Sequence, residues 1–356
     1  RWMYRRLAPD FAAMTDLPSA LRSRLDASTR LWTSATTHVE RSPDDCTEKL
    51  LLRLRDGRHI ESVLMRYLDA ADEDEGVRPE AASGSASGIG RFTACISTQV
   101  GCAMGCVFCA TGRLGLVRDL DGGECVEQVA HCAVRARSAG GRLGNVVIMG
   151  MGEPLANLPA TLHLIGILID PDGFGISPRR VTVSTVGLVP GILRLASLGR
   201  PVRLAVSLHA ADDALRGQLV PANRAYPLSA VMSACRQYQE RTGRRVTFEY
   251  VLIRGVNDGA DGARRLAGLV APLRGHVNLI PFNPFPGSTH QPPTSSGILA
   301  FERTLAAEGV GVTVRARRGT EIGAGCGQLT ARMACGLARP PGVRGVARGA
   351  DAGREP

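Results

Sequence analysis

Apolar residues in the first thirty positions, Trp2, Leu7, Phe11, Met14, Leu17, Leu21 and Leu25, recur at roughly helical spacing with Arg and Asp between them. That spacing predicts a small helical appendage over 1–45. Between 46 and 90 the pattern changes twice. "HIESVLM" has strand character, and "AADEDEGVRPEAASGSASGIG" is acidic and then rich in Ser, Gly and Ala. The second stretch cannot supply a core and is expected to be an inserted flexible loop. From Arg91 short β-rich runs alternate with helical stretches. The runs are "RFTACIS", "NVVIMG", "RVTVST", "RLAVSL", "VTFEYVLI" and "HVNLIP", and the helical stretches include 125–139, 157–169, 228–242 and 258–272. Such alternation predicts a parallel sheet of strand-helix units. Eight units would close a full barrel. Six give an α/β fold organised as a partial (β/α)6 barrel over 91–336, with ligands expected at the C-terminal ends of the strands. Beyond Gly336 the sequence "LARPPGVRGVARGADAGREP" is rich in Pro, Gly and Arg and is expected to be a disordered tail over 337–356.

A chain of 356 residues with 44% hydrophobic side chains can bury a large core. Its longest apolar run, 164–169, is far short of the ~20 residues of a membrane span. The stretch "RWMYRRLAPDF" has no signal-peptide core, so a cytoplasmic location is expected. Ten cysteines in such a chain point to thiolate chemistry or metal ligation rather than a disulfide scaffold. The net charge of +10 comes almost wholly from Arg, because Lys49 is the only lysine. A cationic surplus favours a polyanionic partner, nucleic acid first.

Four of the cysteines fall within "CISTQVGCAMGCVFCATG". Cys102, Cys106 and Cys109 form C-x3-C-x2-C just after the first barrel strand. Three thiolates without an obvious fourth ligand leave one iron of a [4Fe-4S] cluster open to an outside ligand. A structural zinc ion would need a fourth ligand, which His131 with Cys125 or Cys132 could in principle supply. A zinc-bearing, non-catalytic RNA-binding protein therefore stays open as a reading of another class. Phe108 suits a cluster loop and an ordinary core equally. Cys95 lies seven residues before the triplet, within the strand, and taken alone is a small buried apolar residue. It gains weight from Cys326 in "EIGAGCGQL", where flanking glycines suit a thiol that must move or be approached closely. Cys46, Cys125, Cys132, Cys235 and Cys335 sit in helical or apolar surroundings and receive no role.

Seven segments in order, "CISTQVGCAMGCVFCATGRLGLVRDL", "VVIMGMGEPLAN", "RRVTVSTVGLVPGI", "LAVSLHAADDALR", "FEYVLIRGVND", "HVNLIPFNPFPG" and "GAGCGQL", resemble the RlmN/Cfr family of radical SAM RNA methyltransferases. The resemblance runs from about Trp2 to Ala334. It implies methylation of carbon 2 of an adenosine in the peptidyl-transferase region of 23S rRNA, and in some members of a tRNA adenosine beside the anticodon. It makes Cys102, Cys106 and Cys109 the ligands of a [4Fe-4S] cluster. Gly152, Glu153, Ser184, Ser207, Leu208, His209 and Asn283 would contact S-adenosyl-L-methionine. Independently of family, these positions fall at or just after the ends of expected parallel strands. Glu61 matches the family's proton acceptor, although the Ser/Gly-rich insertion follows it. The abrupt start near the family's Trp suggests a truncated RNA-binding appendage. Thr320 and Gly323 stand where relatives carry acidic or larger residues. An electron donor such as flavodoxin or ferredoxin is implied as a partner, and a monomer is expected.

Carbon 2 of adenine is electron-poor and cannot attack a methyl sulfonium as a nitrogen nucleophile would, so a radical route is needed. The resemblance implies that Cys326 first takes a methyl group, which is activated as a carbon radical and added to the ring. Glu61 then accepts the ring proton, and Cys95 resolves the protein–RNA link by forming a disulfide with Cys326. A Cfr-type variant of this scheme would methylate carbon 8 and give antibiotic resistance, and "MGMGEP" with "PFNPF" leans toward carbon 2. The target must be unstacked or single-stranded to present its edge.

Overall fold

The computed structural model describes residues 1–67, 90–199 and 201–331. Helix α1 (Ser19–Ser28) is followed by an antiparallel meander of β1 (Ala35–Arg41), β2 (Thr47–Arg53) and β3 (His59–Tyr67). Strand β3 pairs antiparallel with β4 (Arg91–Cys95), where the parallel part begins. A hairpin of β5 (Gln99–Gly101) and β6 (Leu116–Asp119) brackets the short helix α2 (Ala110–Arg113). The chain then runs through α3 (Gly122–Ser138), β7 (Arg142–Ile148), α4 (Leu158–Ile169), β8 (Val181–Thr185), α5 (Val189–Ala196) and β9 (Arg203–Ser207). Helices α6 (Asp213–Leu219) and α7 (Leu228–Thr242) lead to β10 (Val246–Leu252). Helix α8 (Ala260–Val270), β11 (His276–Pro281), α9 (Ser295–Ala307) and β12 (Gly311–Val314) complete the fold.

The main sheet has ten strands in the order β1-β2-β3-β4-β7-β8-β9-β10-β11-β12, and its two end strands do not pair with each other. It is an α/β fold with an open, central parallel sheet, six of whose strands are each followed by a crossover helix. Side chains alternate along each strand. On β7, Val146 and Ile148 are fully buried beneath the helices with Leu164 and Leu168 of α4. The other face looks into the barrel: Arg91, Thr93 and Cys95 of β4 line the interior, as do Arg203 and Ala205 of β9. Caps stop the helices where the sequence signals them. Asp121 and Glu124 form a reciprocal capping box on α3.

Three elements differ from the sequence reading. Strand β1 lies inside the stretch assigned to a helical appendage, because its polar, mostly exposed "ATTHVER" carries no apolar alternation. The expected connecting strand is two strands, β2 and β3. A seventh parallel strand, β12, pairs with β11; its "GVTV" is too short to stand out. The helical spacing near the N-terminus yields only α1 and a single turn at Trp2–Arg6, neither with a buried residue. The insertion at 68–89, Cys335 and the tail at 337–356 lie outside the described residues. Among the described residues no helix is long and apolar enough to cross a membrane.

Glu127 on α3 ties the appendage to the barrel. Its carboxylate accepts from the Thr33 amide and hydroxyl, both at 2.8 Å, from the Ser34 amide at 2.6 Å, and from the Ser34 hydroxyl. Replacing Glu127 by Ala strands buried donors and is expected to cost roughly 3 kcal/mol, read as a lowered urea midpoint; Glu127→Gln should cost less.

Candidate active site

The triplet loop is built by backbone contacts. Cys102 N donates to Gly115 O at 2.9 Å, Val107 N to Leu219 O at 3.1 Å and Cys109 N to Cys106 O at 3.2 Å. Cys102, Cys106 and Cys109 line one cavity of about 130 Å³ together with Gly152, Glu153, Ser184, Ser207 and His209. Ser184 and Ser207 lie at the ends of β8 and β9, and the others come from the loops after β5, β7 and β9, at the C-terminal ends of the parallel strands. Two of the expected residues stand elsewhere. Leu208 is fully buried, its amide bonded to Glu249 O and its carbonyl to Arg216 Nε. Asn283 points to the thiol loop, donating to Cys326 O at 3.1 Å and accepting from Arg317 Nε at 3.1 Å.

The donor set fits an iron-sulfur cluster. Burial pushes the Cys102 thiol up to about 11 and raises Cys106 and Cys109 as well. Binding a cluster would therefore release protons from these thiols and exchange buried S–H groups for metal–sulfur bonds. Thiolates around a cubane lie further apart than ligands of one tetrahedral ion. Among the described residues no group of three His, Cys, Asp or Glu is placed to hold a single metal ion. The zinc alternative fails on its fourth ligand: the His131 ring nitrogens face Ser34 Oγ at 3.1 Å and Thr36 Oγ1 at 3.2 Å, while Cys125 and Cys132 are buried in the apolar core.

The rest of the cavity is rigidly held. Gly152 has φ +104°, and a Cβ there would lie 2.7 Å from the Gln99 side chain, so only glycine fits. Glu153 joins the β7 and β8 loops by accepting from Leu155 N at 3.0 Å and Val186 N at 2.9 Å. Its burial raises its pKa to about 7. His209 accepts from Val251 N at Nδ1, 2.9 Å, so its neutral ring carries the proton on Nε2. Phe108 packs edge-on against it with centroids 4.4 Å apart, the contact that its place in the loop provides. Burial first, then Arg216, holds the His209 pKa down to about 3. Arg216 itself is fully buried and donates to the carbonyls of Val186, Ser207 and Leu208, fixing the ends of β8 and β9. Sequence reasoning passed over it because an isolated Arg reads as a surface residue.

Cys95 and Cys326 line a second cavity of about 190 Å³, whose wall includes Cys109 and Thr111. Cys95 ends β4 between Val63 and Val147. Burial, and then the neighbouring Cys326, push its thiol up to about 12. Cys326 is exposed on its loop. The loop is welded to the triplet loop: Gly327 O accepts from Ala110 N at 2.7 Å and Leu329 O from Thr111 Oγ1 at 2.6 Å. Gly327 has φ +81°, and a Cβ there would lie 3.0 Å from Phe108 O. Thr320 and Gly323 form a turn in this loop, Gly323 N donating to Thr320 O.

Glu61 is buried under the same loop. Its carboxylate accepts from Thr330 N at 2.7 Å and lies 3.6 Å from Lys49, whose Nζ also donates to Ile322 O at 2.6 Å. The carboxylate thus clamps the segment after Cys326, with Lys49 holding the segment before it.

A barrel rim where three cysteines of one loop border a ligand cavity defines a radical SAM enzyme, and residues 96–266 match the model of the Radical SAM superfamily. A solved radical SAM methyltransferase from Sphaerobacter thermophilus is 48% identical, with a TM-score of 0.84 over 93% of this chain and 91% of that one. The dual-specificity RNA methyltransferase RlmN 1 of Myxococcus xanthus is 48% identical over 93% of this chain and 86% of its own length. A probable dual-specificity RNA methyltransferase RlmN of Acidothermus cellulolyticus is also 48% identical, over 92% of this chain and 79% of its own. The chain belongs to the RlmN family.

Replacing Cys102, Cys106 or Cys109 by Ala is expected to abolish iron and acid-labile sulfide in the reconstituted protein; retention of both would refute the triplet as ligands. His209 gives a pH test. Its folded pKa lies below the ~6.5 of an unfolded histidine, so the unfolded chain takes up the proton first. The associated stability is present above that value and is lost as pH falls toward 3. His209→Gln should flatten that part of the acid limb in urea midpoints measured across it.

Proposed function

We propose that the protein methylates carbon 2 of an adenosine in 23S rRNA, and of a tRNA adenosine beside the anticodon, through a methyl group carried on Cys326. The observation that carries this reading is the shared cavity of Cys95 and Cys326, with Cys109 of the triplet in its wall. The RlmN names of relatives with nearly half their residues identical support the RNA substrate.

Cys102, Cys106 and Cys109 would hold a [4Fe-4S] cluster, and Gly152, Glu153, Ser184, Ser207 and His209 would border S-adenosyl-L-methionine. When bound, this pair supplies the one-electron chemistry that removes a hydrogen atom from an S-bound methyl group. Everything else falls to the chain. Cys326, exposed and on a loop with positive-φ glycines, accepts the methyl group by displacement. Docking of its loop on Ala110 and Thr111 keeps the sulfur beside the triplet. The carbon radical on Cys326 then bonds to the adenine ring, and the odd electron this leaves on the ring must be given up, for which the cluster would be the acceptor. Glu61 serves as the proposed acceptor of the ring proton. Its bond to Thr330 N means that this step is coupled to a shift of the thiol loop. Cys95, once it has lost its proton, next attacks the Cys326 sulfur; the carbon–sulfur bond breaks, its electron pair passes to the ring-bound methylene carbon, which takes a proton to become the methyl group, and a Cys95–Cys326 disulfide is left for reduction. Burial raises the pKa of this thiol, so the attack requires its proton to be removed first. A flavodoxin or ferredoxin would supply electrons, and the protein would act as a cytoplasmic monomer.

The two thiols should fail differently. Cys326→Ala should keep the cluster and lose methyl loading. Cys95→Ala should load methyl and couple to RNA but not release it, giving a purified protein with nuclease-sensitive absorbance and a shifted band on a denaturing gel. A Cys95→Ala protein free of RNA with normal turnover would refute the pair, and nucleoside mass spectrometry of the wild-type product reports which carbon was methylated.

A further inference from the structure

Two buried polar residues face the thiol cavity from strands whose other side is apolar. On β10, Phe248 and Tyr250 pack into the core while Glu249 lines the cavity; on β11, Val277 and Leu279 are core residues and Asn278 lines the cavity. Parallel pairing sets Glu249 directly beside Asn278, and both are almost fully buried, at 4% and 2% exposure. Arg315 follows β12 and is fixed there by its amide, which donates to Leu279 O at 2.8 Å. Its guanidinium lies 4.0 Å from Glu249 Oε2, and its charge also favours the thiolate of Cys95 across the same cavity.

The direction of the bond between the two polar residues is settled by chemistry. A carboxylate beside a guanidinium accepts and does not donate, so Asn278 must turn its amide N–H groups toward it, and Nδ2 donates to Glu249 Oε1 at 3.0 Å. The carbonyl oxygen of Asn278 is thereby turned away, and it has no hydrogen-bond partner among the described residues. Burying an acceptor without a donor costs folding free energy, and a ligand that brings an N–H group recovers it.

We infer that Asn278 recognises the base: its Oδ1 accepts from the exocyclic amino group of the adenine held between Cys95 and Cys326, and Glu249 is the positioning residue that fixes the amide in its accepting orientation. The inference rests on the RNA adenosine reading above and names how that base is selected. Adenine carries an amino donor at carbon 6, where hypoxanthine and guanine carry a carbonyl that would meet Oδ1 lone pair to lone pair. The adenine of S-adenosyl-L-methionine offers the same amino group. The residues expected to border that ligand line the other cavity, however, whereas Asn278 shares its cavity with both thiols.

The test uses the reconstituted full chain and synthetic RNA stem-loops with adenosine, inosine or purine riboside, which lacks the amino group, at the target position. The readout is kcat/KM from labelled methyl incorporated. Wild type is expected to prefer adenosine. Asn278→Leu, close in size but apolar, should reduce the preference for adenosine over purine riboside about tenfold, and Glu249→Gln, which frees the neighbouring amide to turn over, should move it the same way. Comparing the same bases across proteins cancels their intrinsic reactivities, and thermal midpoints check folding. A merely structural role would lower all the rates together, so unchanged ratios in a folded variant would overturn the inference. If neither variant folds, the wild type decides alone: a clear preference for adenosine supports the inference, and equal kcat/KM for adenosine and purine riboside overturns it. A separate arm follows methyl loading of Cys326 without RNA. A raised KM for S-adenosyl-L-methionine in Asn278→Leu, with base ratios unchanged, would overturn it in favour of the cofactor's adenine. A wild-type protein that loads methyl on Cys326 but methylates none of the RNAs would instead remove the reading on which the inference rests.

Discussion

Alternation along parallel strands is the constraint on which the rest of this structure depends. Because successive side chains point to opposite faces, one set is buried under the helices and the other lines the interior. Because the strands are parallel, all their beginnings lie at one end and all their ends at the other. Arg91 and Cys95 are therefore on the same face of β4, separated by the length of the strand, as are Arg203 and Ser207 on β9. Cation chemistry collects at one mouth and thiol and ligand chemistry at the other without any residue having to reach across.

The second constraint is the docking of a loop more than two hundred residues distant in sequence. The thiol of Cys326 belongs to no strand. It is placed by backbone bonds from Gly327 and Leu329 to α2 and by Asn283, and its two flanks are held by Lys49 and Glu61 from the antiparallel meander. The single lysine of the chain thus has a structural task, and Glu61 shares it by holding Thr330. Arg216, fully desolvated and spent on carbonyls, performs the matching task on the other side of the cavity.

Much of this was legible in the sequence. The six apolar runs after Arg91 each fell on a parallel strand, because buried strands carry dense β-branched and aliphatic residues. The C-x3-C-x2-C loop was visible because spacing alone brings three thiols together. Strand β1 was not legible, since an exposed edge strand needs no apolar face, and β12 was too short. Leu208 and Asn283 illustrate a different limit. Motif position assigns them to the ligand, while the burial of Leu208 between two cavity-lining residues and the bond of Asn283 to the thiol loop are tertiary details that no local pattern encodes.

The central claim is that carbon passes through Cys326 as a methylene group instead of moving directly from S-adenosyl-L-methionine to RNA. The most direct measurement is mass spectrometry of the methylated adenosine after anaerobic turnover with S-adenosyl-L-methionine carrying a trideuterated methyl group. Transfer through Cys326 removes one deuterium before the carbon meets the ring, so the product methyl should hold two deuteriums and one hydrogen. A product that keeps all three deuteriums would contradict the account.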